Sequence, residues 1–392
     1  MLGDVSDDLL LIPGPTTLSH RVREVMARPQ LGHISPEFIE AMKELLDLTR
    51  FVFKAQTGQP FVITGSGSVA MECVAVSLIE PGDRVLVLDT GAFGKRFALM
   101  LEIHGAKVDV VTSTTGRHAD PTVAAEKLTA GGFKAVFATH VDTSSTVVNP
   151  VAEIVEVARS QDVLSVIDSV CGVGGLEFDF DRLGSDVALT ASQKALAAPP
   201  GAALLVLSDR AIRAMEQRKT PIRSYYMDLL RWKKVMEDPG VYLSTPATQV
   251  MLALREALRI IREEGLERRW FRHRVLAEGI RAGFGALDLG FVAEEGFRAD
   301  TVTGILMPDS RAREVQRLLR EQFRIQVALG FGELREKALR IGHFGNLKAS
   351  DVVATLSAVE SVLRRLDGER KPGAAAQVAL PYLDQLLPDE KT

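Results

Sequence analysis

Two cysteines in 392 residues, Cys73 and Cys171, cannot build a disulfide framework and fit a reducing compartment. An excess of one charge is missing too. The 47 basic and 51 acidic side chains leave a net charge of −4, so nothing electrostatic points to nucleic acid or an anionic membrane as a partner. No apolar run approaches the roughly 20 residues that a bilayer crossing requires. The opening Met-Leu-Gly-Asp-Val-Ser-Asp-Asp carries acids where a signal peptide carries bases. No spacing of His, Cys or carboxylates resembles a metal site, and no repeat or low-complexity tract interrupts the chain. The expectation is a cytoplasmic protein.

What is present fits a globular enzyme-sized chain. Hydrophobic residues make up 46% and charged residues 25% of a sequence too long for one ordinary core, so two domains are expected. From about residue 58 to 207, short β-rich runs alternate with helical patterns. The expected strands are Pro60–Thr64, Arg84–Asp89, Lys107–Val111, Ala135–His140, Val163–Asp168, Asp186–Ala191 and Ala202–Leu207. Ser68–Leu78, Phe93–His104, Pro121–Thr129 and Val151–Ser160 are the intervening helices. Strands that are apolar along their length imply burial on both faces, hence an α/β fold with a mostly parallel seven-stranded sheet covered by helices.

The pattern changes after residue 246. Helices are expected over Pro246–Glu264, Leu266–Leu287, Ser310–Phe323 and Ala349–Leu366, with strands at Thr301–Met307 and Ala338–Ile341. This describes a smaller α+β C-terminal domain over 265–367, after a large domain over 21–264. Residues 1–20, holding Pro13-Gly14-Pro15, are expected to wrap onto the body. Residues 368–392, rich in Pro, Gly and Ala, are expected to form a poorly ordered tail.

Three features carry chemistry. Thr64-Gly65-Ser66-Gly67-Ser68-Val-Ala70 follows a strand and opens a helix, where free N–H groups and the helix dipole favour an anion. The window alone is ambiguous. Gly65-x-Gly67-x-x-Ala70, with Asp89 ending the next strand, also satisfies the dinucleotide fingerprint, and a plain strand–helix turn is a third possibility. Asp168 ends the apolar run Val163-Leu-Ser-Val-Ile, and Lys194 follows in Ala-Ser-Gln-Lys-Ala-Leu. Alone, Asp168 reads as a strand-end cap and Lys194 as a solvated amine.

Together they supply what pyridoxal phosphate needs. Lys194 would condense with the aldehyde and later shuttle the proton between Cα and C4′. Asp168 would hold the ring nitrogen protonated. Phe93, opening the helix after Asp89, could stack on the ring. A nicotinamide dehydrogenase has no use for the Ser-Gln-Lys loop.

These residues resemble the class V, fold type I pyridoxal phosphate aminotransferases, most closely the alanine–glyoxylate and serine–pyruvate group. The resemblance runs from Leu11-Ile-Pro-Gly-Pro15 to about Leu366. It is carried by Ile63-Thr-Gly-Ser-Gly, Glu80-Pro-Gly-Asp-Arg, Gly91-Ala-Phe-Gly-Lys-Arg96, Ile167-Asp-Ser-Val, Ser192-Gln-Lys-Ala-Leu-Ala-Ala-Pro-Pro-Gly201 and Leu339-Arg-Ile-Gly342. It implies that Ser66, Gly67 and Ser68 bind the cofactor phosphate with help from Gln193, and that Thr143 contacts the ring's phenolic oxygen. Tyr242 and Thr245 would reach the phosphate of a neighbouring subunit, which implies a homodimer. Arg340 would clamp the substrate carboxylate, a planar fork well matched to that group, and Gly14 would lie at the substrate.

The implied reaction moves an amino group from a small L-amino acid, alanine or serine, to glyoxylate or pyruvate by a ping-pong cycle. Ureidoglycine, 2-aminoethylphosphonate and pyridoxamine are donors of similar proteins. The chain departs from the family's pattern in having Phe93 where Trp or Tyr is usual, Ser68 where some relatives have His, and Asp142-Thr-Ser-Ser-Thr146 without the family's glycine. A cysteine desulfurase is disfavoured, because neither cysteine lies where a mobile nucleophile is needed. A cofactor-binding scaffold without activity would have no use for the proton-shuttling lysine. His343 is expected to be structural or to line the entrance, His140 to be a framework residue, and Cys171 to be small and buried.

Overall fold

The computed structural model describes residues 8–368 and 372–387. Its centre is a seven-stranded sheet built from β1 (Gln59–Thr64), β2 (Arg84–Asp89), β3 (Lys107–Thr112), β4 (Phe133–Thr139), β5 (Leu164–Asp168), β6 (Val187–Ala191) and β7 (Ala202–Leu207). The spatial order is β1-β7-β6-β5-β4-β2-β3. β7 runs antiparallel to β1 and β6, and the remaining pairings are parallel. The sheet is thus mostly parallel, as its unbroken apolar strands imply. β3 is the exception. It lies at the sheet edge with Lys107 and Thr112 exposed, so its Lys-Val-Asp-Val-Val-Thr sequence is half-solvated instead of buried on both faces.

Helices cover both faces, and local chemistry explains their starts. α1 (Pro36–Phe53) begins with proline in its first turn while the Ser35 side chain accepts from Phe38 N. α2 (Gly67–Leu78) follows β1, and α3 (Ala92–Ile103) follows β2. α4 (Pro121–Thr129) is capped by Asp120, which accepts from Thr122 N, and α5 (Val151–Ser160) buries Ile154 and Val155. α6 (Thr248–Glu264) packs against α1.

A second, separate hydrophobic cluster holds the C-terminal part. There α7 (Leu266–Gly285), α8 (Ala312–Phe323) and α9 (Ala349–Asp367) surround a small antiparallel sheet of β8 (Val302–Leu306), β9 (Ala328–Leu329) and β10 (Ala338–Gly342), in the order β8-β10-β9. From Asp8 onward the N-terminal segment lies against this cluster, and residues 1–7 lie outside the described residues. Leu9–Leu10 pairs with Ile325–Gln326, Leu11 is buried, and Gly342 N donates to Leu11 O.

The tail differs from expectation. Ala374–Leu383 forms a helix, α10, that buries Ala375, Ala379 and Leu383. Its Ala-rich sequence reads as loose because small side chains give little amphipathic signal; here they let the helix press onto α7. A Cβ on Gly279 would stand 3.0 Å from Leu383 Cδ2, and one on Gly283 would stand 3.0 Å from Ala375 O. Residues 388–392 lie outside the described residues. Among the described residues no helix is long and apolar enough to cross a membrane, and no group of three or more His, Cys, Asp or Glu could hold a metal ion.

Candidate active site

The carboxyl ends of β1, β5 and β6 point toward one end of the sheet, where ligands of open α/β folds bind. Because β7 is antiparallel, its first residues meet those ends: Gly65 N donates to Gly201 O at 2.9 Å. The connection from β6 to β7, residues 192–201, therefore spans the mouth of the sheet, and Lys194 projects from it. The connection is tied internally. Ser192 Oγ donates to Pro199 O at 2.6 Å, Ala197 N donates to Lys194 O at 2.9 Å, and Ala197 takes a left-handed φ of 54°.

Lys194 and Asp168 line the same cavity of about 280 Å³. Ser66, Gly67, Ser68, Phe93, Thr143 and Gln193 line it as well. Five residues given no role above join them: Met71, Arg96, Val141, Val170 and Cys171.

Asp168 is 2% exposed, and among the described residues its carboxyl accepts one hydrogen bond, from Val170 N at 3.0 Å, while its backbone carbonyl accepts from His140 N at 2.7 Å. Burial pushes its carboxyl up to about 7, while the cations Lys194 and Arg96 pull the other way. The carboxyl is thus unsatisfied and ready for a cationic partner. Lys194 Nζ donates to Pro13 O, with Gly14 packed along the same side chain.

The turn before α2 offers backbone donors with few partners. Ser66 is extended at the N-cap, with φ −93° and ψ 177°, and its side chain makes no capping bond. Among the described residues no acceptor meets the N–H groups of Gly67 and Ser68. Arg96 Nη1 reaches Ser68 Oγ at 3.4 Å, and its guanidinium lies 4.7 Å from the Phe93 ring centroid. Gln193 Oε1 is buried without a hydrogen-bond partner.

Asp142 organises the opposite wall. Its carboxylate accepts from Phe93 N at 3.0 Å, Ser144 N at 2.9 Å and Ser144 Oγ at 2.6 Å, which fixes the start of α3 and hence the Phe93 ring. The sequence signal is present in Asp142-Thr-Ser-Ser, but a cap supplied from 49 residues away has no local signature. Arg96 was visible in Gly91–Arg96, yet one arginine among many carries no role until it is placed.

Arg340, on β10, borders the cavity without lining it. Its Nε donates to Leu329 O and its Nη1 to Thr143 O, each at 2.8 Å. Among the described residues it forms no ion pair, and burial lowers its pKa. Tyr242 and Thr245 do not reach the cavity of their own chain. They lie exposed on another surface, 3.2 Å apart through their hydroxyls.

Several candidates are framework groups. His140 is buried, its Nδ1 is 2.9 Å from Ser169 Oγ, and burial lowers its pKa to about 4. His343 is fully buried, with Nε2 bonded to Thr303 Oγ1 at 2.8 Å and a pKa lowered to about 3 by burial. It does not line the cavity. Burial raises the Cys171 thiol to about 11, which leaves it protonated and a poor nucleophile. Asp89 does not act as a free acid beside the glycine turn: it is 2% exposed and accepts from Gly91 N at 2.9 Å.

The chain is similar to known proteins over most of its length. The family model described as "Aminotransferase class-V" matches residues 17–333. An uncharacterised aminotransferase of Methanocaldococcus jannaschii is 35% identical over 373 residues, covering 94% of this chain and 96% of its own. Alanine–glyoxylate aminotransferase 1 of Saccharomyces cerevisiae is 36% identical over 358 residues, covering 87% and 92%. The crystal structure of ureidoglycine–glyoxylate aminotransferase from Bacillus subtilis superposes with a TM-score of 0.93 at 31% identity, covering 96% of this chain and 97% of that one.

Proposed function

The chain belongs to the class V aminotransferases, and on that premise we propose that it transfers the amino group of a small L-amino acid, alanine or serine, to glyoxylate or pyruvate, using pyridoxal 5′-phosphate held in the Lys194 cavity. One observation carries the reading. An amine and a buried, under-bonded carboxyl open onto one cavity whose end is a helix N-terminus with two free N–H groups.

The residues fit the cofactor. Ser66, Gly67, Ser68 and Gln193 would hold its phosphate, Phe93 and Thr143 its ring and phenolic oxygen, and Asp168 its ring nitrogen. The unmet N–H groups of Gly67 and Ser68 are donors that such a phosphate would satisfy. When bound, the cofactor offers an aldehyde to an amine and a ring that accepts the electron pair left by a departing α-proton.

The chain's own groups then divide the work. Lys194 removes and returns the α-proton as a general base and acid. Asp168, stabilised as a carboxylate by the cationic nitrogen, keeps that nitrogen protonated. Arg340 holds the substrate carboxylate and so fixes which bond at Cα is presented to the base. Gly14 leaves Lys194 room to do this. The exposed Tyr242 and Thr245 would serve the cavity of a second copy, which makes the working form a homodimer. The two buried thiols fit a reducing compartment, and we place the protein in the cytoplasm.

Borohydride reduction after incubation with pyridoxal phosphate, followed by peptide mass mapping, should label Lys194. A label elsewhere, or none, rejects the proposal. A second donor reading, ureidoglycine, draws on the 0.93 superposition with the Bacillus enzyme. An amino-donor panel against glyoxylate, pyruvate and 2-oxoglutarate separates the two, and activity with 2-oxoglutarate alone counts against both.

A further inference from the structure

Arg269 is a cation placed where two forces oppose it. It lies in the first turn of α7, where the helix dipole disfavours positive charge, and it is 1% exposed. A methionine or leucine would fill the volume without either cost. Its three nitrogens show what the charge and the planar fork are used for. Nη2 donates to Ala195 O at 2.6 Å, Nε donates to Gly174 O at 3.0 Å, and Nη1 pairs with Glu264 at 2.6 Å.

Ala195 is the residue after Lys194. Gly174 lies on the turn that follows Asp168. One rigid group therefore binds the backbone beside the amine and the backbone beyond the carboxyl. Glu264 is held on its other oxygen by Arg272 Nε at 2.7 Å, and Arg272 passes the contact to Gly345 O at 3.0 Å. His273, next on the helix, repeats the link with its Nδ1 3.1 Å from Gly175 O while Nε2 accepts from Gly345 N at 3.0 Å.

We propose that Arg269 is a positioning residue that sets the separation between the Lys194 loop and the Asp168 turn, so that amine and carboxyl meet the cofactor in register. The proposal rests on the aminotransferase reading above. A flexible lysine at 269 would keep the charge but could satisfy only one carbonyl at a time, because a point charge lacks the fork. The separation would then vary, and proton transfer by Lys194 would slow more than substrate binding weakens.

The test compares the parent with Arg269→Lys and Glu264→Gln. Borohydride labelling of the parent comes first; no label on Lys194 overturns both the aminotransferase reading and this proposal. With the parent labelled, Arg269→Lys should still be labelled, with kcat lowered roughly tenfold or more, the KM of the amino donor within about threefold of the parent, and a larger isotope effect with α-deuterated alanine. In the cofactor-free chain, amide hydrogen exchange over residues 193–198 should accelerate about tenfold. A kcat and isotope effect equal to the parent's, whatever the melting temperature, reduce Arg269 to domain glue and overturn the proposal. Should Arg269→Lys fail to fold, Glu264→Gln decides: about threefold slower turnover with a raised isotope effect supports it, and unchanged turnover overturns it.

Discussion

A methyl group on Gly14 would stand 2.4 Å from Cδ and 2.9 Å from Nζ of Lys194. The glycine also holds a φ of +82°, a left-handed value that side chains resist. Gly14→Ala should therefore displace the amine instead of only straining the loop. Turnover is expected to fall roughly 10²-fold, with about 1 kcal/mol lost from stability. Steady-state kinetics beside urea unfolding separate the two effects, and a loss of stability without a loss of kcat would contradict the steric argument.

Lys194→Ala should leave a chain that still binds pyridoxal phosphate through the turn before α2 but cannot be labelled by borohydride. Loss of the general base alone corresponds to about 10²–10⁴ in rate. Measurable turnover within tenfold of the parent would place the base elsewhere.

Asp168→Asn should make the cofactor-free chain more stable above neutral pH and abolish turnover once the cofactor is added. In the native chain the carboxyl keeps its proton up to about pH 7, whereas an unfolded aspartate releases it near its ordinary value of 3.8. Between those values the native state binds more protons, so this group lowers stability as pH rises from about 4 to 7 and not beyond. The advantage of Asn over Asp should grow from near zero at pH 4 to on the order of a few kcal/mol at pH 8. Urea titrations at several pH values check this. A constant difference, or one of opposite sign, would show that the site is hydrated.

Arg340→Ala should raise the KM of carboxylate substrates and leave the cofactor's absorbance intact. Removing one partner of a buried charge pair costs about 2–5 kcal/mol, or roughly 30-fold to several thousand-fold in kcat/KM. Arg340→Lys should recover little, since Lys offers no planar fork. Loss of the cofactor band in either variant would mean that Arg340 acts through Thr143 on the cofactor, not on the substrate.

Subunit mixing tests the shared site. Tyr242→Ala and Lys194→Ala should each be nearly inactive alone. Random reassociation of equal amounts should restore about a quarter of the parent activity, because each mixed dimer has one cavity with both groups intact. No recovery on mixing would return Tyr242 to a role within its own chain or to none.

Much of this site was legible because its chemistry sits at strand ends. Asp168 ends and Gly65 follows an unbroken apolar run, and Ser192-Gln-Lys breaks the sequence just where a strand must stop. The boundaries of β2, β7, α4 and α5 match the sequence reading for the same reason. What stayed hidden has distant partners. Asp142 caps α3 across 49 residues of chain, and Arg269 reaches Ala195 across 74. α1 carries a readable apolar stripe and a Ser35-Pro36 start, but it precedes the strand–helix alternation from which the other elements of the large domain are read. The edge position of β3 could not be read from its own residues, since a strand's place in the order depends on the strands that flank it.

The way α10 lies on α7 bears on how the chain can be shortened. Its alanines fit against Gly279 and Gly283, positions with no side chain to shield the surface beneath. Trimming the chain at Gly368 would open the surface around Gly279, Gly283 and Leu356 to water, adding a sticky strip to a small domain that already exposes Phe323 and Phe331. A tag is better placed after Thr392 than in exchange for α10, however dispensable its composition makes it look.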